Sequence, residues 1–380
     1  MQRSTFYFLG ILCVGSFMGC SQLNKAKDLI TSPSAKEKYQ QEFSSSPALF
    51  NLWENQVGNA LKDSLQIDLP YFSTGDFTPR GFLIYSYNVS LNPGEKLGIE
   101  AETASPPPMV FIDLYLKQND SIKPYKIIAS AQYKESRLTY EIKETGTYKI
   151  IVQPAMEANS PFVFKVKKSP VYLFPVSGAG NKNMQSFWGA GRDAGRRSHE
   201  GVDIFAARGT PVVAAINGYI TSSGEKGLGG KQVWLRDPKR SQSLYYAHLD
   251  SIEPISGKLV KRGDTLGYVG NTGNARTTPP HLHFGIYKNY QGAIDPLYHI
   301  FQIENPEFNS RTDTLKLFSM KVTGKTANLR DKPYANGSRI IGNSKLNDTL
   351  IFLGKSNDWY HIRTLGNQAA FIHENLVAPL

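Results

Sequence analysis

Cysteine is almost missing: the 380 residues contain two, Cys13 and Cys20. Cys13 sits in an apolar run, Phe6 to Val14, that follows Arg3 and reads as an export signal removed on maturation. An internal disulfide is thereby excluded, and so is cysteine-ligated zinc, so any metal site has to be built from His, Asp and Glu. The apolar run is also too short to cross a bilayer as a helix, which takes about 20 residues. Acidic residues are in deficit, 32 against 43 Lys and Arg, a net charge of +11 that favours anionic partners. Nucleic acid is not expected among them, because the aromatic residues fall in strand-like runs instead of interleaving with a basic patch. The helical zinc motif HExxH is absent, since Asp203 stands where its second histidine would be. Gly224, Gly227, Gly229 and Gly230 lack the lysine-serine pair and the following helix of a phosphate loop, and read as a hairpin loop bordering a cleft.

What is present divides by texture. Residues 1–20 form the export segment, ending in Phe17, Met18, Gly19 and Cys20. This segment resembles a bacterial lipoprotein signal with its lipobox, although Phe17 replaces the usual aliphatic residue. The resemblance implies cleavage before Cys20 and a lipid on its sulfur, hence a membrane-anchored protein of the cell envelope facing the periplasm or the exterior. An ordinary secretory signal with a chance cysteine is the alternative.

Residues 21–69 comprise a polar tether, for which few contacts are expected, and an amphipathic helix marked by Leu49, Trp53, Val57, Leu61 and Leu65. Trp53 is assigned to the core. Residues 70–168 carry short apolar runs between turn signals such as Asn92-Pro93-Gly94 and Thr145-Gly146, an all-β sandwich signature. This stretch resembles the small sandwich found beside secreted bacterial peptidases and holds no catalytic cluster, so an accessory role is assigned.

Residues 170–303 are rich in glycine and hold most of the histidines. In His199-Glu200-Gly201-Val202-Asp203-Ile204-Phe205 the period is two, which puts His199, Gly201 and Asp203 on one face with room for an ion over the glycine. His281-Leu282-His283-Phe284-Gly285 follows the same alternation, with His281, His283 and Gly285 sharing a face. A third strand, Leu244 to Leu249, is expected to send Tyr246 and His248 to a common face. One histidine alone reads better as structural, whereas strands that gather imidazole and carboxylate suit zinc, which takes such ligands tetrahedrally and leaves one position for water in a catalytic site. Arg192, Arg196 and Arg197 read as a solvated charge run, with contact to substrate carboxylates as the sharper alternative.

With these motifs in place, residues 174–300 resemble the lysostaphin and LytM family of zinc endopeptidases that cut peptidoglycan peptides. The match runs from Phe174-Pro175 through Gly189, Arg192, His199-Glu200-Gly201-Val202-Asp203 and Gly209-Thr210-Pro211-Val212. It continues through Tyr246-Ala247-His248-Leu249, Gly263-Asp264, Gly270-Asn271-Thr272-Gly273, Pro280-His281-Leu282-His283-Phe284 and Asp295-Pro296. The resemblance implies that His199, Asp203 and His283 ligate Zn2+, with His281 and His248 catalytic beside the bound water. Which of the two is the general base stays open. The family includes members that have lost ligands and activate other wall hydrolases, a loss this chain does not share.

Residues 316–380, after a polar link from Asn305 to Asp313, contain Ala327-Asn328-Leu329-Arg330, Asp358-Trp359-Tyr360-His361-Ile362 and Phe371-Ile372-His373-Glu374. They resemble a bacterial SH3-like barrel, of a kind that commonly binds cell-wall peptide. Trp359 is read equally as core or as ligand platform, and His361 and His373 as structural or surface residues. The expected fold is therefore mainly β: an N-terminal β-sandwich, a LytM-type β-sheet peptidase domain and a C-terminal SH3-like barrel. The expected function is zinc-dependent hydrolysis of peptidoglycan cross-links. A non-enzymatic activator whose cleft is occluded by another domain, and a hydrolase of protein substrates, are the rivals. No sequence feature sets an oligomeric state.

Overall fold

The computed structural model describes residues 33–79, 81–192, 194–253, 256–306 and 319–380. The export signal with Cys13 and Cys20, the first part of the tether and most of the polar link lie outside the described residues. The fold is mainly β, as expected, and among the described residues the strands fall into three large sheets and one two-stranded ribbon.

From residue 34 onward the expected tether is instead packed structure. Ser34 and Glu37 cap helix Ala35–Glu42 reciprocally, each side chain satisfying a backbone N–H at the open helix end. Tyr39 then goes fully into the core, where its hydroxyl accepts from Met156 N at 2.8 Å and donates to Glu157 at 2.7 Å. The second helix, Pro47–Ala60, opens with proline at its first turn, where a missing N–H costs nothing. It buries Phe50 and Trp53 against Tyr39 and Phe111, and Trp53 Nε1 donates to Pro154 O at 2.9 Å. Leu65 is fully buried but lies beyond the helix end, so the four-residue spacing overran the element by a turn.

The sandwich packs the sheet Tyr85–Leu91, Gly146–Pro154, Val110–Lys117 and Tyr125–Ser130 on a second set, Tyr71–Phe77, Ser160–Pro170, Glu95–Thr103 and Arg137–Glu141. Between them lie Phe77, Tyr85, Phe162 and Phe164 in mutual ring contact.

The second set does not end at an exposed edge. Strand Tyr71–Phe77 pairs with Thr349–Ser356 of the C-terminal unit through Thr74 and Lys355, so the first and last units share one continuous sheet. Arg363 pairs with Asp63 at 2.7 Å in the seam, both side chains less than a tenth exposed. Beside them the Tyr87 hydroxyl lies 3.0 Å from His361 Nδ1. Burial, with a smaller push from Arg363, lowers the His361 pKa to about 3, so the ring is neutral. His361 is therefore a buried structural residue, while Trp359 is half-buried with its ring against His373.

The middle segment forms an antiparallel sheet in the order Leu259–Val260, Gly218–Lys226, Gly230–Asp237, Gln242–Ile252, His281–Lys288, Val202–Phe205 and Met184–Ser186. Its register decides the site: Asp203 stands opposite His283, and Ala247 flanks His283 on the other side. Val202, Ile204, Leu282, Phe284 and Tyr246 point into the core beneath. Arg240, held within this segment by Asp237 at 2.8 Å, fastens it to the sandwich through Glu141 at 2.6 Å.

Candidate metal centre

His199 precedes the short strand Val202–Phe205 and is held by two backbone bonds, His199 N to Ala190 O at 2.8 Å and Gly189 N to His199 O at 3.0 Å. Its Nδ1 lies 2.9 Å from Phe187 O. A carbonyl oxygen only accepts, so the ring proton sits on Nδ1 and Nε2 presents a lone pair. Nε2 is 3.0 Å from Asp203 Oδ1 and 3.0 Å from His283 Nδ1, and His283 Nδ1 is itself 3.0 Å from Asp203 Oδ1. Two imidazole nitrogens and one carboxylate oxygen thus converge, all within 4.8 Å of one another and largely shut away from solvent. Lone pairs so close repel unless something positive lies among them. This donor set is one that a borderline-soft divalent cation takes, so the residues present fit a metal ion.

The electrostatics agree with that role. Burial alone would raise the Asp203 pKa, but contacts with His199 and His283 outweigh it and hold the carboxyl well below the usual carboxylate range. Burial likewise lowers His283, which favours the neutral ring that a metal requires. The second Asp203 oxygen is taken by Arg192, whose Nη2 donates at 2.5 Å and also reaches Ser186 Oγ at 2.8 Å. The solvated reading of Arg192 is overturned: its guanidinium fixes the carboxylate's orientation and leaves Oδ1 to the histidines.

Gly201 has a different use from the expected one. A Cβ there would sit 2.6 Å from Phe284 O and 2.7 Å from His283 Cε1. The glycine makes room for the His283 ring, not for an ion.

Two more histidines face the same space. His281 Nδ1 lies 2.9 Å from Pro279 O and His248 Nδ1 lies 2.9 Å from Thr272 O. By the same reasoning each keeps a lone pair on Nε2, and the His281 Nε2 is 4.0 Å from Asp203 Oδ1. Their ring centroids are 5.1 Å apart. Burial, followed by the neighbouring His283 and His281, lowers the His248 pKa to about 4.

Tyr246 and His248 do not share a face. Tyr246 is fully buried, its hydroxyl accepting from Ala215 N at 3.0 Å, while His248 has φ of 64° and turns into the cleft. A left-handed backbone at a non-glycine residue costs energy, and the surrounding contacts have to impose it. Here the loop of Thr272 does so: the Thr272 hydroxyl accepts from Lys231 N at 3.0 Å and donates to Leu249 O at 2.8 Å. Gly230 and Gly273 are needed for that closure, because a Cβ on Gly230 would lie 2.3 Å from Gly273 N. The glycine loop does border the cleft, through Leu228 and Gly229.

Phe205, stacked on His281 with centroids 4.9 Å apart, and Arg192 are the site residues that alternation alone missed. Phe205 stands opposite His281 in the register, a relation that the period within either strand leaves undefined. The resulting cleft of about 670 Å³ is lined, among the described residues, only by side chains between Ser186 and Tyr287.

Residues 197–296 match the family described as Peptidase family M23. An L-Ala–D-Glu endopeptidase of Bacillus subtilis is 33% identical over 151 residues, covering 37% of this chain and 46% of its own length. A DD-carboxypeptidase/endopeptidase, Mpg, of Neisseria meningitidis is 43% identical over 101 residues, covering 27% of this chain and 22% of its own length. The chain thus spans less than half the length of either curated relative. Among solved structures, the catalytic domain of the antimicrobial peptidase lysostaphin from Staphylococcus simulans is 33% identical, with a TM-score of 0.28, covering 30% of this chain and 91% of that one. The convergent donors and both cleft histidines all fall inside this stretch, residues 197–296, that matches Peptidase family M23.

Proposed function

We propose that the chain is a zinc-dependent endopeptidase that hydrolyses peptide cross-links of peptidoglycan in the cell envelope. The observation that carries this reading is the convergence of His199 Nε2, Asp203 Oδ1 and His283 Nδ1 beside two further histidines in an open cleft. Those three residues would hold the zinc, which when bound lowers the pKa of water to about 7 and polarises a carbonyl. Arg192 keeps the Asp203 carboxylate turned toward the ligand atoms. His281 and His248, each with Nδ1 committed to a backbone carbonyl, offer Nε2 to the reacting groups. One takes the proton of the attacking water, and the leaving amine nitrogen receives a proton as the C–N bond breaks.

No described residue of the sandwich or of the C-terminal unit lines the cleft. That favours catalysis over a docking role with an occluded site. Peptidoglycan stem peptides are the substrates we favour, a reading supported by the names of the two curated relatives, an L-Ala–D-Glu endopeptidase and a DD-carboxypeptidase/endopeptidase, and the direct D-alanyl cross-link is the bond we favour. Purified protein incubated with intact sacculi should release peptides whose masses report new amino and carboxyl ends within cross-links. Chelator should stop the release and added zinc should restore it. Stimulation of a separate amidase with no cleavage by the protein itself would favour the activator instead.

The envelope location rests on Cys20 as the lipidated first residue of the mature chain. Cys20→Ser should move the protein out of the membrane fraction and abolish incorporation of a labelled fatty acid. Unchanged labelling would exclude Cys20 as the acylated residue.

A further inference from the structure

The sheet face that carries His283 does not end at the metal centre. Register places Tyr245 opposite both Trp234 and Gly285, and Tyr287 opposite Ser243, so the neighbouring strands present three aromatic rings on the same face. The Trp234 and Tyr245 centroids are 4.4 Å apart at an interplanar angle of 31°, and Trp234 and Tyr287 are 5.1 Å apart. Tyr245 also meets the edge of His283, with centroids 5.8 Å apart, and both tyrosines line the cleft. All three rings are half-buried, with part of each at the surface.

A core would have covered these rings, and a purely apolar docking face would lack the polar fringe seen here. The Tyr287 hydroxyl donates to Glu200 at 3.2 Å, the Tyr245 hydroxyl donates to Gln232, and Arg236 donates to Ser243 at 3.2 Å. With both tyrosine hydroxyls committed to neighbours, what remains for a ligand is ring face bordered by carboxylate, amide and guanidinium. A pyranose has the matching chemistry, with a C–H face for the rings and an equatorial rim of hydroxyl and amide groups for the fringe. Gly285, opposite Tyr245 in the register, lets the Tyr287 ring lie close over the strand, since a Cβ there would sit 3.1 Å from Tyr287 Cε2 and from Glu200 O.

We infer that the strip formed by Trp234, Tyr245 and Tyr287 is a sugar-binding subsite that holds the glycan end of a glycan-linked peptide while the peptide lies across the metal centre. This rests on the peptidase reading above. Two ring-to-ring steps, of 5.8 Å and 4.4 Å, separate His283 from Trp234. An extended chain advances ~3.4 Å per residue, so roughly three residues would bridge sugar and scissile bond.

The test uses the full chain and two probes. Peptide-free glycan strands should bind the wild-type protein in calorimetry. Binding should be lost in Trp234→Ala and retained in Trp234→Phe, which keeps a ring; circular dichroism checks that both variants fold. The ratio of kcat/KM for glycan-linked cross-linked dimers to that for the same dimers freed of sugar should fall about tenfold in Trp234→Ala, mostly through KM. Failure of the wild-type protein to bind peptide-free strands, or an unchanged ratio, overturns the subsite. If the wild type cleaves neither dimer yet still binds the strands through Trp234, the peptidase reading fails and the subsite stands.

Discussion

Asp203→Ala is expected to copurify without metal and to lose all measurable peptidase activity, while the wild-type protein carries about one zinc per chain. The carboxylate is the only negative charge among the three convergent donors, and its Oδ1 is 3.0 Å from each imidazole ligand atom. Removing it leaves two neutral nitrogens to hold a dication, a set short of the three protein ligands that catalytic zinc sites use. The same change frees Arg192, whose guanidinium would then point its charge at the place where the cation should sit.

Arg192→Ala tests the orienting contact separately: the ligands survive, and metal affinity should fall by about 10- to 100-fold, as for partners that hold a ligand in place. Elemental analysis after dialysis and a competition titration with a chelator give both numbers. Full zinc occupancy in Asp203→Ala would contradict the ligand set, and unaltered affinity in Arg192→Ala would reduce its contact to surface packing.

Much of the site geometry was legible because a strand has a period of two. That period puts His281, His283 and Gly285 on one face, and the glycine spacers mark where side chains have to be absent. It says nothing about which strand lies opposite which. The pairing of Asp203 with His283 joins residues 80 positions apart, and only the folded register brings them together. The same gap hid Phe205 on His281 and the aromatic strip across three strands.

Two local errors have local causes. Alternation around Gly201 shows that a side chain is missing but not what fills the space, which the His283 ring takes. Alternation puts His248 beside Tyr246 because it assumes a regular strand, and φ of 64° at His248 breaks that regularity. The seam between the first and last units was illegible for a different reason. Asp63 and Arg363, 300 positions apart, are ordinary surface residue types, and nothing in their neighbourhoods announces a buried pair.

His281→Ala should keep its zinc and lose about 10² to 10⁴ in rate, the usual worth of a positioned proton-transfer group. His283→Ala should lose both metal and activity. The two histidines are two residues apart on one strand and differ in what their nitrogens face. His283 Nδ1 lies 3.0 Å from both other ligand atoms, inside the convergent group. His281 gives its Nδ1 proton to Pro279 O, and its Nε2 stops 4.0 Å from Asp203 Oδ1, at the edge of the group. Phe205 stacks on the His281 ring and holds that plane, so the imidazole is aimed at the cleft and not at the donors.

A lost proton carrier should lower kcat with KM little changed, whereas a lost ligand removes the active species altogether. His281→Gln separates the roles further: it keeps a polar group in the pocket but cannot cycle a proton near neutral pH, so it should bind zinc as the wild type does and stay as slow as His281→Ala. Metal content measured on all three variants, with kcat and KM on a cross-linked dimer, decides the matter. Equal metal loss in His281→Ala and His283→Ala would place His281 among the ligands and leave His248 as the sole candidate for the proton.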